Sequence, residues 1–154
     1  MTDEIRVFGE RTPGVSYVLR PGGYAVIFDG EGRLALVATE EGLHLPGGGQ
    51  EPGETAETAA IREVAEETGL RVAIESTIGV ADEFVFVRSD ATHYRKRCTF
   101  FRATTSGAGE PIEPDHELQW VDAREAVRDL CHESQRWAVE QALRGSARES
   151  ASAS

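Results

Sequence analysis

The chain has 154 residues, 40% of them hydrophobic and 28% charged, the size and balance of one soluble globular domain. A formal net charge of −11 disfavours nucleic acid and anionic lipid as partners unless cations are gathered in one place. No run of about 18 apolar residues is present to span a membrane. The charged opening MTDEIRVFGER has no apolar segment of the secretory kind, and two widely separated cysteines, Cys98 and Cys131, suit buried thiols in a reducing compartment, so a cytoplasmic location is expected.

In chain order, residues 1–14 read as a polar lead-in and Tyr17–Arg20 as a short strand, closed by a turn at Pro21-Gly22-Gly23. The apolar runs Tyr24–Phe28 and Leu34–Ala38 flank Asp29-Gly30-Glu31-Gly32 and read as a β-hairpin. Glu40-Glu41-Gly42 is a further turn, and Leu43–Leu45 leads into the cluster Gly47, Gly48 and Gly49. Thr55–Thr68 is the clearest helix, with Thr55 as N-cap and Gly69 as the residue that ends it. Val72–Val80, Glu83–Arg88 and His93–Ala103 read as extended, and Thr104–Pro114 as a loop. A short strand at Leu118–Val121 precedes a helix capped by Asp122 and running to about Leu130, then a second helix over Glu133–Leu143. The expectation is one domain over residues 1–145, a mixed sheet packed by helices, followed by a disordered tail at 146–154.

The helix carries the chemistry. At 100° per residue, Ala60, Ile61, Val64, Ala65 and Thr68 form a core face, and Glu63, Glu66 and Glu67 gather opposite it. Glu63 stands three and four residues from the other two acids, so the carboxylates are neighbours, and like pairs at those spacings cost about 0.2–0.5 kcal/mol each. Glu66 and Glu67 also occupy the last turn, the negative end of the helix dipole, where an acid is unfavourable by about 0.3–1 kcal/mol. A solvated acidic face is the ordinary reading of such a run; these combined penalties set a bound cation beside it as an equal reading. Hard carboxylate oxygens without His or Cys suit Mg²⁺, or alternatively Mn²⁺, better than Zn²⁺. The glycine-rich loop from Leu45 to Glu54 is neither a P-loop nor a dinucleotide fingerprint, and its backbone is free to approach a ligand.

From Gly48 through Glu54 and Arg62-Glu63-Val64-Ala65-Glu66-Glu67-Thr68 to Gly69-Leu70, the spacing resembles the Nudix box at every defined position. The preceding Leu45-Pro46-Gly47 and the later Trp120-Val121 extend the resemblance over most of residues 17–143. It implies an α/β fold, an α/β/α sandwich with a central mixed sheet, and hydrolysis of a nucleoside diphosphate linked to another moiety. By that resemblance Glu63, Glu66 and Glu67, with the Gly47 carbonyl, hold the cation; Glu63 or Glu66 accepts the proton of the attacking water. Arg62 orients carboxylates by pairing with Glu54, while Gly48 and Gly69 shape the loop and the helix end.

Asp115, Glu117 and Glu83 are candidates for an additional base or ligand, each balanced by an ordinary surface role. Within His93-Tyr94-Arg95-Lys96-Arg97, Arg95 and Arg97 are candidate substrate contacts or the charges of an edge strand, and Phe84 and Phe86 are core or a base-stacking wall. His44 and His116 flank the site and are not expected as ligands. The subgroup window Val85–Arg88 lacks the proline of ADP-ribose enzymes and the tyrosine of dinucleoside-polyphosphate enzymes. The expected partner is a small nucleotide, with neither membrane nor nucleic acid; by fold analogy, residues 1–14 and the first strand offer a homodimer surface. Prenyl-diphosphate isomerisation would require a reactive cysteine, and Cys98 lies on an apolar side. A non-catalytic nucleotide-sensing or protein-interaction module is the alternative, against which the intact box stands.

Overall fold

The computed structural model describes residues 5–108, 113 and 115–153. In order these form β1 (Arg6–Phe8), β2 (Val18–Ile27), β3 (Arg33–Thr39), β4 (Gly42–His44), β5 (Gly47–Gly49), α1 (Ala56–Thr68), β6 (Leu70–Val87), β7 (Thr92–Ala108), β8 (Glu117–Asp122), α2 (Ala123–Asp129) and α3 (Glu133–Ala153). Five strands make a mixed sheet in the order β1-β6-β7-β2-β5, with β1–β6 and β2–β7 parallel and the other pairs antiparallel. A second, antiparallel sheet runs β4-β3-β8.

β2 shows why the apolar runs are continuous. Val26 packs into a cluster with Leu34, Leu36, Phe100, Ala126 of α2, Leu130 just after that helix and Val139 of α3. Its neighbours Ala25 and Ile27 point the other way, into a cluster with Val64 of α1, Leu70 and Ala103. Side chains alternate along a strand, so a strand covered on both faces must be apolar at every position. Helices therefore flank a mixed sheet on both sides, the expected α/β arrangement.

Several local expectations are corrected. Pro21-Gly22-Gly23 is the interior of β2, not a turn. Those glycines admit close neighbours: a Cβ on Gly22 would lie 2.6 Å from the Gly48 carbonyl oxygen, and one on Gly23 would run into the Ala56 carbonyl oxygen of α1. The hairpin across residues 29–32 opens, because β2 and β3 belong to different sheets and only Phe28 and Leu34 bridge them. Asp29 holds the crossing, accepting from the backbone N–H groups of Glu31 and Arg33 and from the Arg33 side chain. The segments at Val72–Val80 and Glu83–Arg88 are one strand, bent by three register shifts against β7.

β7 extends to Ala108 into the stretch expected as a loop; residues 109–112 and 114 of that loop lie outside the described residues, as do residues 1–4 of the lead-in and residue 154. α3 runs to Ala153, past the expected Leu143 end. Cys98 is buried as expected, but Cys131 is exposed, its thiol donating to the Glu41 carbonyl at 3.1 Å. Among the described residues no helix is long and apolar enough to cross a membrane.

Candidate functional site

α1 begins and ends where its residue types direct. The Thr55 side chain accepts from the Thr58 N–H, and Gly69 at φ 77° closes the last turn by donating to the Ala65 carbonyl. The buried face is rotated from the expected one. Ala59, Ala60, Val64, Glu67 and Thr68 are buried, whereas Ile61, placed in the core from its spacing, is 38% exposed. α1 packs against β2, β5 and β6, so the side bearing Glu67 is covered by the glycine strand β5 as well as by the main sheet.

Arg62 organises the outer acids. Its Nε and Nη2 donate to the two Glu54 oxygens at 2.7 and 2.9 Å, a bidentate pair, and Nη2 also donates to the Gly49 carbonyl at 3.1 Å. Nη1 reaches Glu63 at 2.9 Å and Glu66 at 3.2 Å. One guanidinium thus ties the loop to both helix acids. The Arg62 hydrogen bonds, with the Glu51 N–H, hold the Glu54 carboxyl down to about 2. Gly48 permits the close approach of the loop: a Cβ there would stand 2.7 Å from the Glu63 carboxyl carbon.

Glu67 lies deeper, accepting from the Gly47 N–H at 2.8 Å. Burial, reinforced by Glu63, Glu113 and Glu66 and only partly offset by that hydrogen bond, pushes its carboxyl up to about 8. Burial also raises Glu63, against the pull of Arg62.

Two further residues join the acids. The Glu113 N–H donates to the Glu66 carbonyl at 3.0 Å, one of the last-turn carbonyls that the helix cannot satisfy itself. That bond draws the segment before β8 onto the end of α1. Candidate ligand atoms of Glu63, Glu66 and Glu113 lie within 4.8 Å of one another, as do those of Glu67, Glu113 and His116. His116 Nε2 is 3.4 Å from Glu67, while its buried Nδ1, 3.1 Å from Glu113, makes no hydrogen bond among the described residues. His116 was not expected as a ligand and Glu113 was not singled out; the only sequence signal was that acids shortly before Trp120 merited a search.

The cluster opens into a cleft of about 760 Å³. Glu67, Gly47, Gly48, Asp115 and His116 line it, but Glu117 is an exposed residue of β8 paired with Ala38. Glu83 instead caps α3, accepting from the Ser134 N–H at 2.9 Å and meeting His132 Nδ1 at 3.1 Å; burial raises its carboxyl, and these bonds outweigh that and hold it low.

Arg95 and Arg97 both clasp the fully buried Asp82, at 2.6 and 2.9 Å, and do not line the cleft. Phe84 stacks with Tyr17 and Arg95, and Phe86, 50% exposed, with His93; these too lie off the cleft. Strand alternation explains it: Lys96, between the two arginines, lines the cleft. Arg20, Tyr24, His44, His132 and Gln135 also line it, brought there from β2, β4 and the start of α3.

Residues 18–142 match the NUDIX domain family. A protein of Bacillus subtilis (strain 168) named as a candidate 8-oxo-dGTP diphosphatase is 35% identical over 88 residues, 56% of this chain and 54% of its own length. A candidate mutator protein of Mycobacterium tuberculosis (strain CDC 1551 / Oshkosh), MutT4, is 39% identical over 95 residues, 60% of this chain. The matches span only 54% and 37% of these two relatives. The crystal structure of a MutT NUDIX hydrolase from Burkholderia pseudomallei superposes with a TM-score of 0.59 at 29% identity, covering 80% of this chain and 97% of that one.

Proposed function

We propose, from the premise that the chain belongs to the NUDIX domain family, that it is a Mg²⁺-dependent hydrolase of the diphosphate linkage in a small nucleotide. The observation that carries the reading is the pair of acidic groups that share Glu113, one with Glu63 and Glu66 and one with Glu67 and His116, the latter two residues lining the cleft. The donor set fits a hard divalent cation: its carboxylates crowd one another, and burial makes the charge on Glu67 unfavourable until a cation is present.

Glu63, Glu66 and Glu67, with the Gly47 carbonyl and Glu113, would hold Mg²⁺, or Mn²⁺ in its place. When bound, the cation would neutralise charge on the diphosphate and acidify water at the site. Arg62 keeps the Glu63 and Glu66 carboxylates turned toward each other and anchors them to the loop through Glu54 and Gly49. Either Glu63 or Glu66 accepts the proton of the attacking water. The named activity of the Bacillus relative supports a nucleoside triphosphate among the candidate substrates.

Glu66→Gln is expected to lower turnover by two orders of magnitude or more on a nucleotide panel with Mg²⁺, with an unchanged circular-dichroism spectrum and thermal midpoint. Near-normal turnover in the folded variant would end this mechanism. Nucleotide binding by the wild-type chain without release of phosphate or pyrophosphate would replace it with the non-catalytic module.

A further inference from the structure

Glu83 of β6 does more than cap α3. One of its oxygens accepts from the Ser134 N–H at 2.9 Å, which is all that the cap requires. The other oxygen stands 3.1 Å from Nδ1 of His132, the residue just before α3. Burial raises the Glu83 carboxyl, but the bonds from His132 and Ser134 outweigh it and hold the group low, so it is ionised at neutral pH. An ionised carboxylate accepts and cannot donate. Nδ1 of His132 must therefore carry a hydrogen, and in the neutral ring the lone pair is left on Nε2.

The protein does not use that lone pair. His132 lines the cleft, and its Nε2 has no hydrogen-bond partner among the described residues and is not sealed from solvent. The His44 ring lies 5.2 Å away, but its own Nε2 is engaged at 3.1 Å by the Thr39 hydroxyl. Gln135, three residues on and also in the cleft wall, is pinned in the same manner: its Oε1 accepts from the Leu45 N–H at 2.8 Å. Both side chains thus reach the cleft in orientations set from behind. A lone pair repels phosphate oxygens, so this wall suits the nucleoside end of a nucleotide, where base N–H and sugar hydroxyl groups are the donors.

We propose that Glu83 is a positioning residue for the substrate: by holding the His132 Nδ1–H it turns a fixed acceptor, the Nε2 lone pair, toward a donor on the nucleoside half of the bound nucleotide. The proposal rests on the reading of the cleft as a nucleotide site, and its test separates the two.

NMR of protein labelled with ¹⁵N-histidine reports which ring nitrogen bears the hydrogen. Wild type is expected to carry it on Nδ1 of the neutral His132 ring. Glu83→Gln keeps an oxygen for the Ser134 N–H and offers its NH₂ to Nδ1, so the hydrogen is expected to move to Nε2. Binding of the αβ-methylene analogues of the four ribonucleoside triphosphates would be measured calorimetrically with Mg²⁺, and the wild-type Nε2 resonance is expected to shift when the analogue binds. Glu83→Gln is expected to weaken the best-bound analogue about tenfold and to raise KM for the matching triphosphate about tenfold, with kcat near wild type. In a His132→Ala background Glu83→Gln is expected to add nothing to either value, whereas a role confined to capping α3 would act equally in both backgrounds. Hydrogen on Nε2 in the wild type, equal effects in the two backgrounds, an unmoved Nε2 resonance with analogue bound, or no binding of any analogue would overturn the positioning role. Analogue binding with the expected His132 response, but no turnover of any nucleotide, would support that role and defeat the hydrolase reading alone.

Discussion

Glu67 is a carboxylate only 8% exposed, with one protein N–H on it and three other acids in electrostatic reach. Its pKa is raised from 4.5 to about 8, so in the metal-free protein its contribution to stability is fully present below about pH 4.5 and is lost as the pH rises through about 8. Groups of opposite sense act elsewhere: Glu54, held at about 2, loses its contribution only as the pH falls below 4.5, and His44, pushed by burial to about 4, as it falls below 6.5. Between pH 6.5 and 8.5, therefore, Glu67 dominates. At about 1.4 kcal/mol per pKa unit the loss across that window is of the order of a few kcal/mol. Urea denaturation in EDTA should show the wild type weakening from pH 6.5 to 8.5. Glu67→Gln should be nearly flat, because glutamine still offers an oxygen to the Gly47 N–H without a charge; equal slopes would contradict the assignment.

At the scale of elements, the site depends on how closely α1 and the β5 loop lie against β2. Gly23 is where the helix backbone meets the strand, and a side chain there collides with the Ala56 carbonyl, a backbone atom that cannot rotate away. Gly23→Ala should lower stability by about 1–3 kcal/mol or more in denaturant titration. Gly48→Ala collides with the Glu63 side chain, which can move, and should cost less stability; a Gly23→Ala protein as stable as wild type would show that α1 does not seat at Gly23. The same close seating explains the misjudged faces of α1. Periodicity locates a stripe of Ala and Val but is silent on how far a second covering element turns it, and here β5 shifts burial from Ile61 toward Glu67. On β7 the dense basic segment was visible, yet which of its residues faced the cleft depended on strand phase.

For the whole molecule, a net charge of −11 and an acid cluster with one arginine among it would make the proposed cation binding a stabilising event. At about 100 times its Kd, a ligand specific to the native state contributes about 2.7 kcal/mol, which for a chain of this size is a rise in Tm of roughly 5–10 °C. MgCl₂ should produce that rise in a thermal melt, and NaCl at matched ionic strength should not. The double variant Glu63→Gln/Glu66→Gln should lose most of it. An equal rise with NaCl would reduce the effect to general screening of surface charge.

The family, the layered α/β class, both ends of α1 and the Arg62–Glu54 partnership were legible in residue order, because caps, helical spacing and the box are local patterns within Gly48–Leu70. The strand character of Pro21-Gly22-Gly23, the separation of β2 from β3, the arrival of Glu113 and His116, and the pairing of Arg20 with Lys96 were decided only by tertiary structure. Each depends on a neighbour distant in sequence: α1 against Gly23, β8 beside β3, the Glu113 N–H on the Glu66 carbonyl, and β7 alongside β2. Local propensity describes what one segment favours, whereas register, close approach and the satisfaction of a helix's last carbonyls belong to two segments at once.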